Sequence, residues 1–144
     1  AASDVYKRQL YDRALASVVR DVSPDLLVLA GWMHVFSPDF LGQFPGRVMN
    51  VHPSLLPAFP GRAPVADAIA YGVRVTGVTV HFAEPGAVDA GPIILQEAVP
   101  ILRDDTEETL LPRIHEVEHR LLPLAASHVL EGRAELRDGR VIWR

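Results

Sequence analysis

The apolar residues of this chain change period several times, which indicates strands that alternate with helices. Between residues 11 and 22, apolar side chains recur at the spacing that places one face of a helix against a core. Residues 25–30 then form a short aliphatic run before Gly31, typical of a strand buried on both faces. Residues 48–52 predict a second strand, which ends at Pro53.

Later segments continue this alternation. Ser37 and Pro38 form a helix start, an N-cap followed by proline at the first helical position. Pro112 and Pro123 are expected to kink or break a long helix at 106–130. The other predicted elements are a proline-rich loop at 53–61, a helix at 63–71, strands at 76–83 and 92–101, and a hairpin turn at 138–139. The pattern predicts an α/β fold whose last two strands, joined only by a loop, form an antiparallel edge.

Composition and charge restrict the class of protein. The chain has 144 residues, with 14 Lys and Arg against 18 Asp and Glu, and its net charge of −4 argues against a nucleic-acid partner. It has no cysteine, which excludes disulfides, thiolate nucleophiles and cysteine-ligated metals. The longest nearly apolar stretch, residues 121–130, is shorter than the roughly 20 residues of a membrane span. We therefore expect a cytoplasmic protein without nucleic-acid or membrane partners.

The start of the chain differs from the rest. Residues 1–9 begin without Met and show no apolar period. Residues 4–9 also resemble translated sequencing-adapter DNA. We expect an artefactual or disordered leader at 1–9, and the alternative is a genuine terminus that frays.

Asn50 and His52 are the first candidates for chemistry. They lie two residues apart on a predicted strand, so their side chains share one face. In open α/β sheets, ligands bind beyond the carboxyl ends of the strands. An amide and an imidazole placed there can both donate hydrogen bonds to a developing oxyanion. The alternative is a capping Asn and a buried, hydrogen-bonded His.

Asp89 is the third candidate. It lies in a glycine-flanked loop after the strand at 76–83, where the backbone can approach a ligand closely. A carboxylate beside an imidazole favours the protonated ring and makes it a usable acid near neutral pH. Two alternatives stay open, a turn-forming role for Asp89 and the competing carboxylate of Glu84 in the same loop.

Two histidines of the long helix match a metal-binding pattern. His115 and His119 follow the spacing His-Glu-x-x-His. That pattern needs a third ligand and an apolar helix, whereas this helix carries Pro112, Pro123 and many charges. We therefore expect no metal site.

The sequence resembles the folate-dependent formyltransferases, specifically the branch that acts on glycinamide ribonucleotide in purine synthesis. The resemblance rests on Asn-Val-His-Pro-Ser-Leu-Leu-Pro at 50–57, Thr-Gly-Val-Thr-Val-His-Phe at 76–82, Asp-Ala-Gly-Pro-Ile-Ile-Leu-Gln at 89–96, and Glu118 with His119. It implies a Rossmann-like fold with a mostly parallel sheet, of which the first part is missing. Residues 10–144 would be the C-terminal three-quarters of a formyltransferase domain.

The resemblance implies a catalytic set. His52 would donate a proton, Asn50 would hold the formyl oxygen, and Asp89 would keep the His52 ring charged. The reaction implied moves a formyl group from 10-formyltetrahydrofolate, a co-substrate, to the amine of glycinamide ribonucleotide, with no metal.

The resemblance also implies binding residues. Glu118 matches the acid that meets the substrate ribose, and Pro53 is assigned to the same substrate. The folate would contact Asn50 together with Met33, His34, Val35 and Phe36. The implied partners are small molecules, and the protein would be a monomer or a homodimer.

Departures from the family leave other functions open. The glycine- and serine-rich phosphate loop of the family is absent, so several dozen residues would be missing upstream, and an inactive truncated fragment is one alternative. Arg8 matches a folate-contacting arginine but lies inside the leader. Methionyl-tRNA formyltransferase shares the character of residues 61–65 but carries a further basic domain. Formyltetrahydrofolate deformylase reads His-His-Ser where this chain has His-Pro-Ser at 52–54.

Overall fold

A four-stranded sheet with helices on both faces forms the centre of the molecule. The computed structural model describes residues 2–144. The main sheet has the strand order β1-β2-β3-β4, and a second sheet pairs β5 with β6. In chain order the elements are α1 (Ala2–Val22), β1 (Leu27–Leu29), α2 (Pro38–Gly42), β2 (Val48–His52), α3 (Pro64–Tyr71), β3 (Val75–Phe82), β4 (Ile93–Pro100), α4 (Glu107–Leu130), β5 (Ala134–Arg137) and β6 (Arg140–Trp143).

Local sequence signals account for most of these elements, as predicted. The Ser37 hydroxyl accepts a hydrogen bond from the Phe40 N–H at 3.2 Å, which confirms the N-cap of α2. Asp138 and Gly139 have φ values of +50° and +75°. These angles match a two-residue turn with both central residues left-handed, which confirms the hairpin of β5 and β6.

The main sheet is mixed. β1 and β2 are parallel, whereas β2 pairs antiparallel with β3, and β3 pairs antiparallel with β4. The α/β class and the antiparallel edge are confirmed, but the sheet is not mostly parallel over the described residues. A short loop joins β3 to β4, and such a loop can link only antiparallel neighbours, because parallel strands need a long crossover.

β1 is the edge strand of the described sheet. It pairs with β2, and its other edge has no partner among residues 2–144. Val28 is 41% exposed. The expectation of a strand buried on both faces is therefore wrong here, because no described element covers the side from which Val28 projects.

Helix α1 begins at Ala2, well before the apolar period from which it was predicted. Residues 3–10 are exposed, which explains why their sequence shows no apolar period. That residues 1–9 form an artefactual or disordered leader stays a prediction, and Ala1 lies outside the described residues.

The face that α1 turns to the core also differs from the prediction. Of the predicted face, Val19 is buried and Leu15 is partly buried, whereas Tyr11, Val18 and Val22 are exposed. Ala16, which was not predicted, is buried beside α2. A carboxylate, that of Asp12, is buried on the same face.

Two apolar clusters lie on opposite faces of β2. Val48 and Met49 are adjacent and point to opposite sides, and both are fully buried. Met49 belongs to the cluster under α4, and Val48 belongs to the cluster under α1 and α2. Because β2 is fixed from both sides, its carboxyl end is a rigid support for side chains.

Helix α4 is continuous despite its two prolines. Pro112 and Pro123 both lie inside it, so the predicted break does not occur. Each proline removes one backbone hydrogen bond, and burial of Leu110, Ile114 and Leu121 against the sheet stabilises the helix instead. No helix of residues 2–144 is long and apolar enough to cross a membrane.

The loop between β3 and β4 returns so close to β3 that only glycine fits at position 91. A Cβ added at Gly91 would lie 1.7 Å from the carbonyl oxygen of Phe82. The Phe82 N–H also donates to the Pro92 carbonyl at 2.9 Å. These contacts fix the direction of the loop at 83–92, which carries Asp89.

We expect Gly91→Ala to lower the free energy of unfolding by about 1–3 kcal/mol or more, because its Cβ meets backbone that cannot move without disturbing the β3–β4 pairing. Urea unfolding followed by circular dichroism measures this change. In the control Gly42→Ala the added Cβ meets no atom within 4 Å. That control should change the free energy by less than about 1 kcal/mol. Equal stability of the two variants would contradict the close approach at Gly91.

Candidate active site

All of the predicted site residues lie at one cavity beside the carboxyl end of β2. The cavity has a volume of about 550 Å³. Asn50 and His52 face it together, because residues two apart on a strand project from the same side. The other predicted residues that line it are Met33, His34, Val35, Phe36, Pro53, Asp89 and Glu118. Their grouping is observed, whereas their individual roles stay predictions.

Two contacts orient the imidazole ring of His52, which is 5% exposed. Its Nε2 lies 2.8 Å from the carbonyl oxygen of Phe59. A carbonyl can only accept, so Nε2 carries a hydrogen and Nδ1 is the nitrogen that gains or loses a proton. Nδ1 lies 3.6 Å from Oδ2 of Asp89, which is longer than a hydrogen bond. A ligand atom can therefore approach Nδ1 beside the carboxylate.

Asp89 is held by the same loop that carries Phe59. Its Oδ2 accepts a hydrogen bond from the Gly61 N–H at 2.9 Å. Its φ is +54°, a left-handed conformation that Asp adopts more readily than most residues. The carboxylate side chain is 9% exposed, so little water screens its charge from His52. This hydrogen bond joins the loop after β2 to the loop after β3.

A second imidazole, that of His81, flanks Asp89. Its Nε2 lies 3.9 Å from Oδ1 of Asp89, and its Nδ1 donates to the Phe82 carbonyl at 2.9 Å. Burial lowers the pKa of His81, and it outweighs the opposing effects of the Phe82 carbonyl and of Asp89. His81 is therefore neutral at pH 7, and the Asp89 charge acts on His52.

The side-chain amide of Asn50 is available to a ligand. It makes no hydrogen bond to any residue of the described chain, and it faces the cavity. Asn50 is paired in register with Leu29 on one side and His81 on the other, so its backbone is fixed in the sheet. A rigidly placed N–H donor of this kind suits the stabilisation of an oxyanion.

Thr79 anchors the proline-rich loop to the sheet. Its Oγ1 donates to the Ser54 carbonyl at 2.7 Å and accepts from the Leu56 N–H at 3.1 Å. Gln96 donates to the Leu56 carbonyl at 2.8 Å. Because Thr79 is fully buried, each of these bonds would leave an unpaired polar group if it were lost. The network thereby fixes the loop that presents the Phe59 carbonyl.

Aromatic rings form another wall of the cavity. Trp32 and Phe36 stack with their ring centroids 5.6 Å apart, and Phe36 stacks on Phe40 at 3.9 Å. His34 meets Phe36 edge-on at 5.2 Å. Met33 is 69% exposed. The wall therefore combines a stacked support with open apolar surface, which suits the binding of a flat ring system.

Helix α4 contributes a carboxyl group with an altered pKa. Burial raises the pKa of Glu118, although the charges of His115, His119 and His52 oppose that effect. Glu118 and His115 line the cavity, while the ring of His119 stacks beside that of His115 at 6.3 Å. Within residues 2–144, no group of three or more His, Asp or Glu side chains is placed to hold a metal ion.

Glu84, the competing carboxylate, is engaged elsewhere. Its Oε1 accepts a hydrogen bond from the Gly46 N–H at 2.8 Å. It lines the cavity but forms no ion pair with His52 in the described chain. The geometry therefore favours Asp89 over Glu84 as the partner of the imidazole.

Sequence reasoning missed the backbone groups of the site. The Phe59 carbonyl and the Gly61 N–H orient His52 and Asp89, yet neither contact depends on a distinctive side chain. The sequence does indicate that this loop is rigid, because Pro57 and Pro60 flank Phe59. Arg62 also lines the cavity, and no sequence pattern indicated it.

These features define an α/β domain with a cavity beyond its strand ends, which an amide, an imidazole and a carboxylate line. The sequence profile of the formyl transferase family matches residues 1–126. The chain belongs to this family.

Two curated relatives illustrate the similarity. The chain is 50% identical over 125 residues to the phosphoribosylglycinamide formyltransferase of Mycobacterium tuberculosis strain H37Rv, covering 87% of this chain and 58% of the relative. It is 38% identical over 137 residues to the protein of the same name from Escherichia coli K12, covering 95% of this chain and 64% of the relative. The chain thus spans less than two thirds of either relative.

Solved structures show the same fold. The glycinamide ribonucleotide transformylase 1 of Symbiobacterium toebii is 47% identical with a TM-score of 0.87, over 92% of this chain and 62% of that chain. A formyltetrahydrofolate deformylase of Pseudomonas syringae pv. tomato is 30% identical with a TM-score of 0.85, over 91% of this chain and 44% of that chain.

We expect Glu118→Gln to raise the free energy of unfolding at pH 7. Burial raises the pKa of folded Glu118 above its ordinary value of 4.5. Between the pKa of the unfolded state and the higher pKa of the folded state, the folded protein holds a proton that the unfolded protein has lost. The free energy of unfolding therefore falls as the pH rises through this range. At pH 7 the folded protein bears the cost of a buried charge, and glutamine removes it. Urea unfolding at pH 7 and at about pH 4 measures the effect, which should shrink at the lower pH.

Glu116→Gln is the matched control, because it removes a negative charge from an exposed position of the same helix. No gain in stability at pH 7 is expected from it. A Glu118→Gln protein that is no more stable than the parent at pH 7 would contradict the proposed cost of burial.

Proposed function

We propose that this protein transfers a formyl group from 10-formyltetrahydrofolate to the primary amine of glycinamide ribonucleotide. The observation that carries the proposal is the grouping of Asn50, His52 and Asp89 at one cavity, with Nδ1 of His52 3.6 Å from the Asp89 carboxylate. The relatives support the acceptor, since those at 50% and 38% identity are named phosphoribosylglycinamide formyltransferase.

The arrangement suits the addition of an amine to a formyl group. The amine nitrogen attacks the formyl carbon, and the carbonyl electron pair moves to the oxygen. The Asn50 amide and the protonated Nδ1 of His52 donate hydrogen bonds to this oxyanion. Cleavage of the bond to the folate nitrogen then transfers the formyl group. The folate nitrogen takes up one proton and the new amide loses one, so the protons balance.

The two substrates are assigned to different walls. The folate lies against the aromatic wall at Met33, His34, Val35 and Phe36 and reaches Asn50, an assignment supported by the open apolar surface there. Glu118 and Pro53 contact the ribonucleotide, and the position of Glu118 across the cavity lining on α4 supports a separate place for its ribose. The donor is a co-substrate, and no metal takes part in the proposal.

We further propose a cytoplasmic location and small-molecule partners only, with neither nucleic acid nor membrane bound. The net charge of −4 supports the absence of a nucleic-acid partner. The protein would act as a monomer or a homodimer.

Hydrolysis of the same formyl donor is the second candidate function. The structural similarity to a formyltetrahydrofolate deformylase, with a TM-score of 0.85, favours it. In that reaction water replaces the amine, and formate leaves. Pro53 argues against it, because the resemblance gives deformylases a histidine at this place.

The activity is tested with the chain completed by the parts of the Mycobacterium tuberculosis relative that lie outside the alignment, since the alignment covers 58% of that relative. His52→Ala should lower kcat roughly 10²–10⁴-fold by removing the proton donor. Asn50→Ala should lower it roughly 10²–10³-fold by removing one oxyanion donor. Arg140→Gln, on the exposed hairpin, is the control. Release of formate without acceptor, at the rate of transfer, would favour deformylation instead.

Asp89→Asn should move the alkaline limb of the kcat profile to lower pH. The neutral amide no longer stabilises the charged ring of His52, so the ring loses its proton at lower pH and with it the ability to act as an acid. Glu84→Gln should leave the limb nearly unmoved, because that carboxylate binds the Gly46 N–H. A shift with Glu84→Gln and none with Asp89→Asn would show that the carboxylate role belongs to Glu84.

A further inference from the structure

The aromatic wall of the cavity comes from residues 31–36, a segment that lies outside any helix or strand. Over the described chain, residues 31–36 make no backbone-to-backbone hydrogen bond, and they lie between the end of β1 and the start of α2. Side-chain contacts must therefore determine where this segment lies. The stacking of Trp32, Phe36 and Phe40 is one such set of contacts. Stacking alone fixes the plane of each ring, but the rings can still slide over one another.

A single carboxylate, that of Asp12, provides a directional contact. Its Oδ1 lies 2.6 Å from Nε2 of His34, and its Oδ2 accepts the Ser37 N–H at 2.6 Å. Asp12 projects from α1 and is 2% exposed, and it does not line the cavity. One side chain thus binds the middle of the segment and the residue at which the segment becomes α2.

Asp12 is ionised in this position. Burial raises the pKa of its carboxyl, but the hydrogen bonds from Ser37 and His34 together lower it by more, and the net pKa lies below its ordinary value. Both bonds are therefore made to a charged acceptor, which strengthens them. The edge of the Tyr11 ring meets His34 with centroids 4.9 Å apart and closes the other side of the imidazole.

We propose that Asp12 is a positioning residue, which holds the aromatic wall through His34 and Ser37 and thereby sets the affinity for the folate. The part that concerns folate rests on the proposed function. Asp12 touches neither substrate, so it acts only by fixing residues 31–36. Without it, the ligand has to order the segment on binding, and that cost appears as a loss of affinity.

The test uses the 144-residue chain and the isosteric variant Asp12→Asn. Hydrogen–deuterium exchange of peptides that cover residues 31–37 is measured without ligand, and the Kd of 5-formyltetrahydrofolate is measured by isothermal titration at a temperature where both proteins are folded. We expect faster exchange at 31–37 and a Kd raised about tenfold, the change expected for the loss of one charge-assisted hydrogen bond.

Asp21→Asn is the matched control, since it removes the same charge from an exposed position of the same helix. It should change neither quantity. Should Asp12→Asn fail to fold, His34→Phe removes the contact to Oδ1 and keeps an aromatic ring beside Tyr11 and Phe36. It must also speed exchange at 31–37 in the absence of ligand.

Each outcome decides a separate point. Unchanged exchange at 31–37 overturns the positioning role of Asp12. Faster exchange with an unchanged Kd shows a purely structural role and overturns the link to affinity. If the parent chain binds no 5-formyltetrahydrofolate, that result counts against the proposed folate site, whereas the exchange data still decide whether Asp12 holds the wall.

Discussion

The site depends on the hydrogen bond that the Gly61 N–H donates to the Asp89 carboxylate. The two residues belong to different loops, one after β2 and one after β3, and the bond ties the carboxylate to the loop that orients His52. The first loop is anchored by Thr79 and Gln96, and the second is fixed by the close contact of Gly91 with β3. The bond therefore joins two loops that are each held in place. It leaves the Asp89 carboxylate little freedom to move away from the His52 imidazole.

Sequence patterns predicted the parts of the site that depend on local geometry. The two-residue period of a strand brought Asn50 and His52 to one face, and the prolines indicated that the following loop is rigid. The glycine-rich loop around Asp89 was recognisable as a place of close approach, but its distance from His52 depends on the pairing of β2 with β3. Which strands pair, and whether they run parallel or antiparallel, depends on residues far apart in the chain. The apolar period of a single segment therefore cannot predict it.

Helix α1, which contacts the aromatic wall through Asp12, shows a second limit of sequence reasoning. The apolar period of α1 indicated a core face at Tyr11, Leu15, Val18, Val19 and Val22. Val19 is buried, but the buried face also includes Asp12. A buried carboxylate breaks the apolar pattern that such reasoning uses, and it is tolerated because Ser37 and His34 satisfy both of its oxygens. Glu118 is a similar exception on α4, where burial disfavours its charge. Burial makes the charged form of Glu118 costly, whereas hydrogen bonds favour the charged form of Asp12.

The Asp89 carboxylate is held by a main-chain N–H, and this has a consequence for how the protein can vary over evolutionary time. A backbone donor does not depend on a neighbouring side chain, although the φ of +100° restricts position 61 itself to glycine. The contact therefore constrains the length and path of the loop and not the identity of the neighbours of Gly61. Arg62, the next residue, lines the cavity from that same loop. Substitutions of Arg62 can alter the charge that a ligand meets without displacing His52 or Asp89. An insertion or deletion between residues 53 and 61 would instead move the Asp89 carboxylate away from His52. Point mutations in this loop can therefore change which ligand is preferred, whereas changes in its length would disrupt the site.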